Sequence, residues 1–249
     1  MGLCYPFPTM QMDKQTVMKK VGTIVAWAVG IVAVLGFLVL VAKMQDSTQV
    51  GSPLANDILP TDHVTGKLDS AVTLVEYSDF QCPACGAYAP LVEKLMVDYS
   101  DKVRFVFRHF PIYSKHPNAE IAARASEAAG KQGQFFQYAQ LLFAKQSDWV
   151  DQPDPRETLK GYAKSLSLNV DDFEKYMNSN ESKTTVTKDY QGGVRAGING
   201  TPTFFLNGKT IDNPNGYPAF KKLLDDALTT ATPAEQAPAT PPVDTTTQK

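Results

Sequence analysis

Two cysteines, Cys82 and Cys85, stand where an apolar run gives way to a helical pattern. The run Val72 to Val75 reads as a buried strand, and Gly86 to Tyr99 reads as a helix. Pro83 suits a first helical turn, where a missing N–H costs nothing. At a helix start the free N–H groups and the positive end of the dipole favour negative charge, which lowers a cysteine pKa. The thiolate is the form that attacks a disulfide or leaves from one. Cys82, at the helix tip, is expected to be the exposed, reactive sulfur. Cys85, one turn on and on the same face, is expected to be more buried and to resolve. The competing reading of a C-x-x-C is half of a zinc site, which needs four ligands. No second C-x-x-C exists, and His63, His109 and His116 lack the H-x₃₋₅-H spacing, so neither metal nor cofactor is expected.

With 249 residues and 43% hydrophobic content, the chain suffices for one sizeable domain plus appendages. A net charge of -2 and a pI of about 5.9 argue against an electrostatic nucleic-acid binder. The apolar residues are unevenly spread. Val21 to Ala42 carries no charge and, at ~1.5 Å per residue, is roughly 33 Å long as a helix, enough to cross a bilayer core. It exceeds an ordinary signal core and has no convincing cleavage site after it, so we expect an uncleaved anchor. A cleaved signal and a buried core helix are the alternatives. Lys14, Lys19 and Lys20 precede the span, and Lys43 then Asp46 follow it. The positive-inside rule therefore puts the N-terminus in the cytoplasm and the bulk of the chain outside. The third cysteine, Cys4, is then separated from the pair by the membrane and is expected to be idle, with lipidation the alternative. A lone external pair in an oxidising compartment points to chemistry rather than to a structural framework.

The expected organisation is a leader over 1–20, an anchor over 21–42, a linker over 43–61, a domain over 62–228 and a disordered tail over 229–249. His63 to Thr65 forms a short edge strand. Ala71 to Tyr77 alternates, with Val72, Leu74 and Glu76 on one face. The helix after Cys82 has a stripe of Leu91, Leu95 and Met96, with Ala87 or Tyr88 a turn earlier. Val103 to Phe107 is a second strong strand. A mainly helical insertion over about 117–197 follows, with helices at Ala119 to Ala129, Gln134 to Lys145, Pro155 to Leu166 and Val170 to Met177. Asn169 can cap the last of these. The final segment, Glu181 to Ala196, reads as weaker and interrupted by Gly192 and Gly193. Thr203 to Leu206 and Lys209 to Ile211 form a hairpin around Asn207-Gly208, and Tyr217 to Leu228 is a last amphipathic helix. The first two long strands, joined through a helix, are expected to be parallel.

Glu76-Tyr-Ser-Asp-Phe-Gln-Cys82-Pro-Ala-Cys85, together with Gly200-Thr201-Pro202-Thr203-Phe204-Phe205-Leu206-Asn207-Gly208, resembles the DsbA-like branch of the thioredoxin superfamily. Phe107 to Pro111 and His116 to Ala119 are similar to the same branch, and the resemblance covers roughly His63 to Leu228. It implies an α/β thioredoxin-like fold, a central mixed sheet flanked by helices, with an inserted helical domain; one N-terminal transmembrane helix precedes it. It also implies a redox pair, Cys82 and Cys85. Pro202 matches the branch's cis-proline, which would turn Thr201 outward to pair with a substrate segment; a plain strand-start proline is the alternative. Glu76 matches the buried acid beneath the pair, able to exchange a proton with Cys85; otherwise it is a surface residue at a strand end. His109 and His116 read as structural. Asp79 either tunes the active-site turn or is solvated, and Phe80 either offers apolar surface or packs in the core.

The resulting expectation is a thiol:disulfide oxidoreductase on the extracytoplasmic side of a bacterial cell membrane, introducing disulfides into exported proteins. Its partners would be cysteine-containing exported proteins and a membrane redox partner that resets the pair, with no nucleic acid. Thr201 departs from the Val of the branch's best-known oxidase and resembles its isomerases and reductases, so a reductase or isomerase is the alternative. An anchored, non-enzymatic binding module is the third reading.

Overall fold

The computed structural model describes residues 57–231. The expected leader, anchor, Cys4, most of the linker and the tail from residue 232 lie outside the described residues. Among those described, no helix is long and apolar enough to cross a membrane.

Five strands form one mixed sheet in the order β1-β3-β2-β4-β5. They are β1 (His63–Gly66), β2 (Thr73–Ser78), β3 (Arg104–His109), β4 (Thr203–Leu206) and β5 (Lys209–Ile211). β2 and β3 run parallel, with Glu76 beside Phe107 and Ser78 beside His109. Every other pairing is antiparallel, including that of Glu76 with Phe204. Asn207 and Gly208 take φ of 48° and 76°, the left-handed pair that a tight two-residue hairpin needs.

Helix α1 (Pro83–Asp98) and the last helix, Gly216–Thr230, cover one sheet face. Val92 and Leu95 meet Phe220 and Leu224 there over Val72, Leu74 and Phe105. Burying side chains of this size contributes about 1.5–3 kcal/mol each. The stripe of α1 differs from the expected one. Its buried residues are Cys85, Ala89, Val92 and Leu95, while Ala87 is exposed and Leu91, Tyr88 and Met96 are half-buried. Because Cys85 turns inward, the periodicity starts from it, and a small residue, Ala89, replaces a large one where helix and sheet approach. β2 also departs from simple alternation: all six residues are buried, since both sheet faces are covered.

The insertion contributes α2 (Ala119–Gly130), α3 (Phe135–Ala144), a short α4 (Gln146–Trp149) that the sequence reading lacked, α5 (Arg156–Ser165), α6 (Val170–Met177) and α7 (Asn180–Arg195); the C-terminal helix is α8. Tyr138, Leu142, Trp149, Leu159 and Phe173 form its core, which reaches the sheet through Phe80 and Phe107. The Asn169 side chain does cap α6, accepting the Asp172 N–H at 3.1 Å. Contrary to expectation, Gly192 and Gly193 do not interrupt α7. A Cβ at Gly193 would lie 2.5 Å from Phe110 Cδ2, so glycine serves close packing there. α7 thereby seals the second sheet face, where Val75, Tyr77, Val106, Phe110 and Phe205 gather.

On this second face Arg108, 1% exposed, donates from Nε to Asp62 Oδ1 at 2.8 Å and from an Nη to Oδ2 at 2.7 Å. Its other Nη donates to the Tyr77 hydroxyl at 3.1 Å. Removing one partner of a buried pair strands the other charge. Arg108→Ala is expected to lower stability by about 3–5 kcal/mol, read as a shift of the urea midpoint at unchanged slope.

Candidate active site

The turn between β2 and α1 carries both cysteines. Asp79, 2% exposed, holds it: Oδ1 accepts the Gln81 N–H at 2.8 Å, and Oδ2 accepts the Ile112 N–H at 2.8 Å. His116 Nδ1 lies 2.7 Å from the same Oδ2. Asp79 is therefore no solvated side chain, and His116 is its partner. Phe80 packs in the core, stacked on Phe107 at 5.2 Å. The insertion grips the turn as well. Gln146 Nε2 donates to the carbonyls of Phe80 at 2.7 Å and Cys82 at 2.9 Å. Gln81 Nε2 donates to Val150 O at 2.8 Å, and its Oε1 accepts the Asn118 N–H at 2.7 Å. Gln146 escaped the sequence reading because a lone Gln has no periodic signature; Gln81 and Asn118 fall within the matched motifs, but only the third dimension shows what they hold.

Cys82 is the N-cap of α1, and both thiols are free. Cys82 is less exposed than expected, at 8%, against 0% for Cys85. The loop at Thr201 covers it: the Cys82 thiol donates to the Thr201 carbonyl at 3.4 Å. The Thr201–Pro202 peptide bond is cis. Thr201 Oγ1 is buried without another partner and acts on the Cys82 sulfur. The Cys82 pKa is brought down to about 5, chiefly by hydrogen bonding from the Cys85 thiol, against the opposing effect of burial and with help from Thr201 and the N–H groups of Cys85 and Ala84. Burial drives Cys85 the other way, and a Cys82 thiolate alongside adds to the rise. One thiol is thus poised to ionise and the other to keep its proton.

Glu76 lies beneath α1, 6% exposed, between Phe107 and Phe204 on the neighbouring strands. Burial raises its pKa to about 7, opposed only by Ser78. The structure thus brings Cys82, Cys85, Glu76, Thr201 and Pro202 to one end of the sheet.

A second polar cluster lies on the far side of β3. His63 Nε2 and His109 Nε2 lie 2.6 and 2.9 Å from Glu127 Oε1. Burial alone would raise the Glu127 pKa, but the hydrogen bonds from His109 and His63 hold it at about 2. These three ligand atoms lie within 4.8 Å of one another, so they are the group among the described residues that could hold a metal ion. Here they are bonded to each other.

The family model described as thioredoxin matches residues 59–226. BdbD from Bacillus subtilis, in its oxidised form, superposes with a TM-score of 0.63 at 26% identity, covering 70% of this chain and 97% of that one. Wolbachia pipientis alpha-DsbA1 gives a TM-score of 0.63 at 22% identity, over 70% and 94%. Among curated relatives, the Na(+)/H(+) antiporter NhaA 3 of Salinispora tropica is 38% identical over 170 residues, which is 68% of this chain and 25% of the antiporter. The chain thus spans about a quarter of the length of such relatives.

Two measurements probe this geometry. The rate of Cys82 alkylation, resolved from Cys4 by peptide mass spectrometry, should rise through about pH 5 and level off near neutrality, with Cys85 silent; Thr201→Val should move the midpoint up. Glu76 binds its proton more tightly folded than unfolded, so its contribution to stability falls as pH rises from 4.5 to about 7. At ~1.4 kcal/mol per pKa unit, Glu76→Gln should stabilise the protein by about 3 kcal/mol above pH 7 and by little below pH 4.5, in paired denaturation curves.

Proposed function

The chain belongs to the thioredoxin superfamily, in its DsbA-like branch, and on that premise we propose that it is a thiol:disulfide oxidase for exported proteins. A substrate thiolate attacks Cys82 Sγ of the Cys82–Cys85 disulfide, and Cys85 leaves. The resulting mixed disulfide is attacked by a second substrate thiolate, and Cys82 leaves with the electron pair. The substrate has then lost two electrons to the cysteine pair, which a membrane redox partner must remove.

The place of Cys82 at the N-cap of α1, one turn before the Cys85 thiol, carries the direction, because it lowers the Cys82 pKa. Stabilising the Cys82 thiolate stabilises the reduced protein and makes its disulfide the stronger oxidant. Thr201 favours the second reading, a reductase or isomerase, because it is the residue that resembles those relatives. Thr201 and Pro202 form the wall against which an extended substrate segment would lie, with Glu76 supplying or taking the proton of Cys85. The site works outside the cytoplasm in this reading, held to the membrane by residues 21–42. Support for that placement is the uncharged run with lysines on its leading side. Ion exchange is not carried over from the antiporters, which share only a quarter of their length with this chain.

The reduction potential against glutathione decides the direction. A value near about -120 mV is expected, whereas one near about -270 mV, as for thioredoxin, would turn the assignment to a reductase. Cys85→Ala should accumulate disulfide-linked adducts at Cys82 in intact cells, and Cys82→Ser should abolish them. A protein still functional as Cys82→Ser would instead be a binding module.

A further inference from the structure

Cys85 keeps its proton, so any turnover requires a route by which that proton comes and goes. Glu76 is the buried base at hand, yet the groups that act on Glu76 do not include Cys85. Ser78 is the residue that acts on both. Two residues after Glu76 on β2, it shares the face that α1 covers. Its side chain is 1% exposed, and Oγ has no hydrogen-bond partner. A buried hydroxyl left unpaired costs stability and calls for an explanation. Ser78 acts on the Glu76 carboxyl and also on the Cys85 thiol, and its O–H is committed to neither.

We propose that the Ser78 hydroxyl relays the proton between the Cys85 thiol and the Glu76 carboxyl. A hydroxyl both donates and accepts, so it can take one proton as it gives up another. When Cys82 is in a mixed disulfide, Cys85 passes its proton to Ser78 Oγ, which hands its own to the Glu76 carboxylate. The Cys85 thiolate then attacks Cys82 Sγ. The Cys82–Cys85 bond forms, the bond from Cys82 to the partner sulfur breaks, and the partner leaves as a thiolate with the electron pair. In the opposite direction the same chain delivers a proton to the departing Cys85. The inference rests on the thiol–disulfide reading of the pair, but not on which way electrons run.

Glu76 has an outlet for the proton. It lines a cavity of about 30 Å³ between α1 and α3, walled by Val92, Phe107 and Phe143, with half-buried Glu93 also on its lining. The titratable group that shares this lining with Glu76 is Glu93, from α1. β3 and β4 present Phe107 and Phe204, and α3 presents Gln140 and phenylalanines, so none of these elements brings a charge to it.

The test is the two-step reaction of the reduced full chain with glutathione disulfide, acid-quenched and followed by mass. The first step, capture at Cys82, depends on the Cys82 thiolate. The second, expulsion of glutathione by Cys85, depends on the relay. Positioned proton transfer typically contributes 10²–10⁴-fold. Ser78→Ala should leave the first rate within about twofold and slow the second by at least about tenfold. It should also erase the rise of the second step with pH through about 7. Ser78→Thr should restore both. In the wild type, the second rate should depend quadratically on the deuterium fraction of the solvent, since two protons move. An unchanged second step in Ser78→Ala, a Ser78→Thr as slow as Ser78→Ala, or a linear solvent dependence would each overturn the relay. A wild-type protein that forms no mixed disulfide would overturn the redox reading, and the relay with it.

Discussion

The Asp79 carboxylate closes the turn on which both sulfurs are carried. By accepting the Gln81 and Ile112 N–H groups and engaging His116, one buried side chain ties the end of β2, the start of α1 and the loop after β3 together. Carboxylates that accept several N–H groups in a dry setting make strong, directional contacts. With the turn held, Cys82 can occupy the N-cap of α1, where the N–H groups of Ala84 and Cys85 help to lower its pKa. Without that hold, the sulfur would have no fixed relation to the helix that lowers its pKa.

From this anchoring follows a division of charge. Cys82, Cys85 and Glu76 each depart from their ordinary ionisation, Cys82 downward and the other two upward. Hydrogen bonds dominate at Cys82, while burial dominates at Cys85 and Glu76. Groups whose pKa values are pushed apart in one small volume are the usual mark of proton-handling chemistry. The flanking phenylalanines, Phe107 and Phe204, set the dryness on which the Glu76 shift depends.

Much of this was legible in the chain itself. The strand–C-x-x-C–helix junction, the parallel β2–β3 pair and the Asn207-Gly208 hairpin follow from local periodicity and turn chemistry. What local rules missed has a common cause. Gly192 and Gly193 carry a breaker's signature, yet α7 runs through them because Phe110 needs the space. The α1 stripe shifts because Cys85, a small buried sulfur, sets its phase. Cys82 at a helix tip should be exposed, but a loop more than a hundred residues on, at Thr201, lies over it. Gln146 and Glu127 entered no motif, since each acts only on residues far away in the chain.

The helical insertion has an implication for modularity. A thioredoxin-like sheet with a long insert suggests a scaffold from which the insert could be cut to leave a minimal catalyst. The grip of Gln146 on the carbonyls of Phe80 and Cys82, and of Asn118 and Val150 on Gln81, makes that partition false. The insert supplies part of the mould in which the reactive turn is cast. A pared-down version would keep both sulfurs and lose the frame that orients them. Grafting this site onto another scaffold therefore means transplanting two layers at once, not one loop.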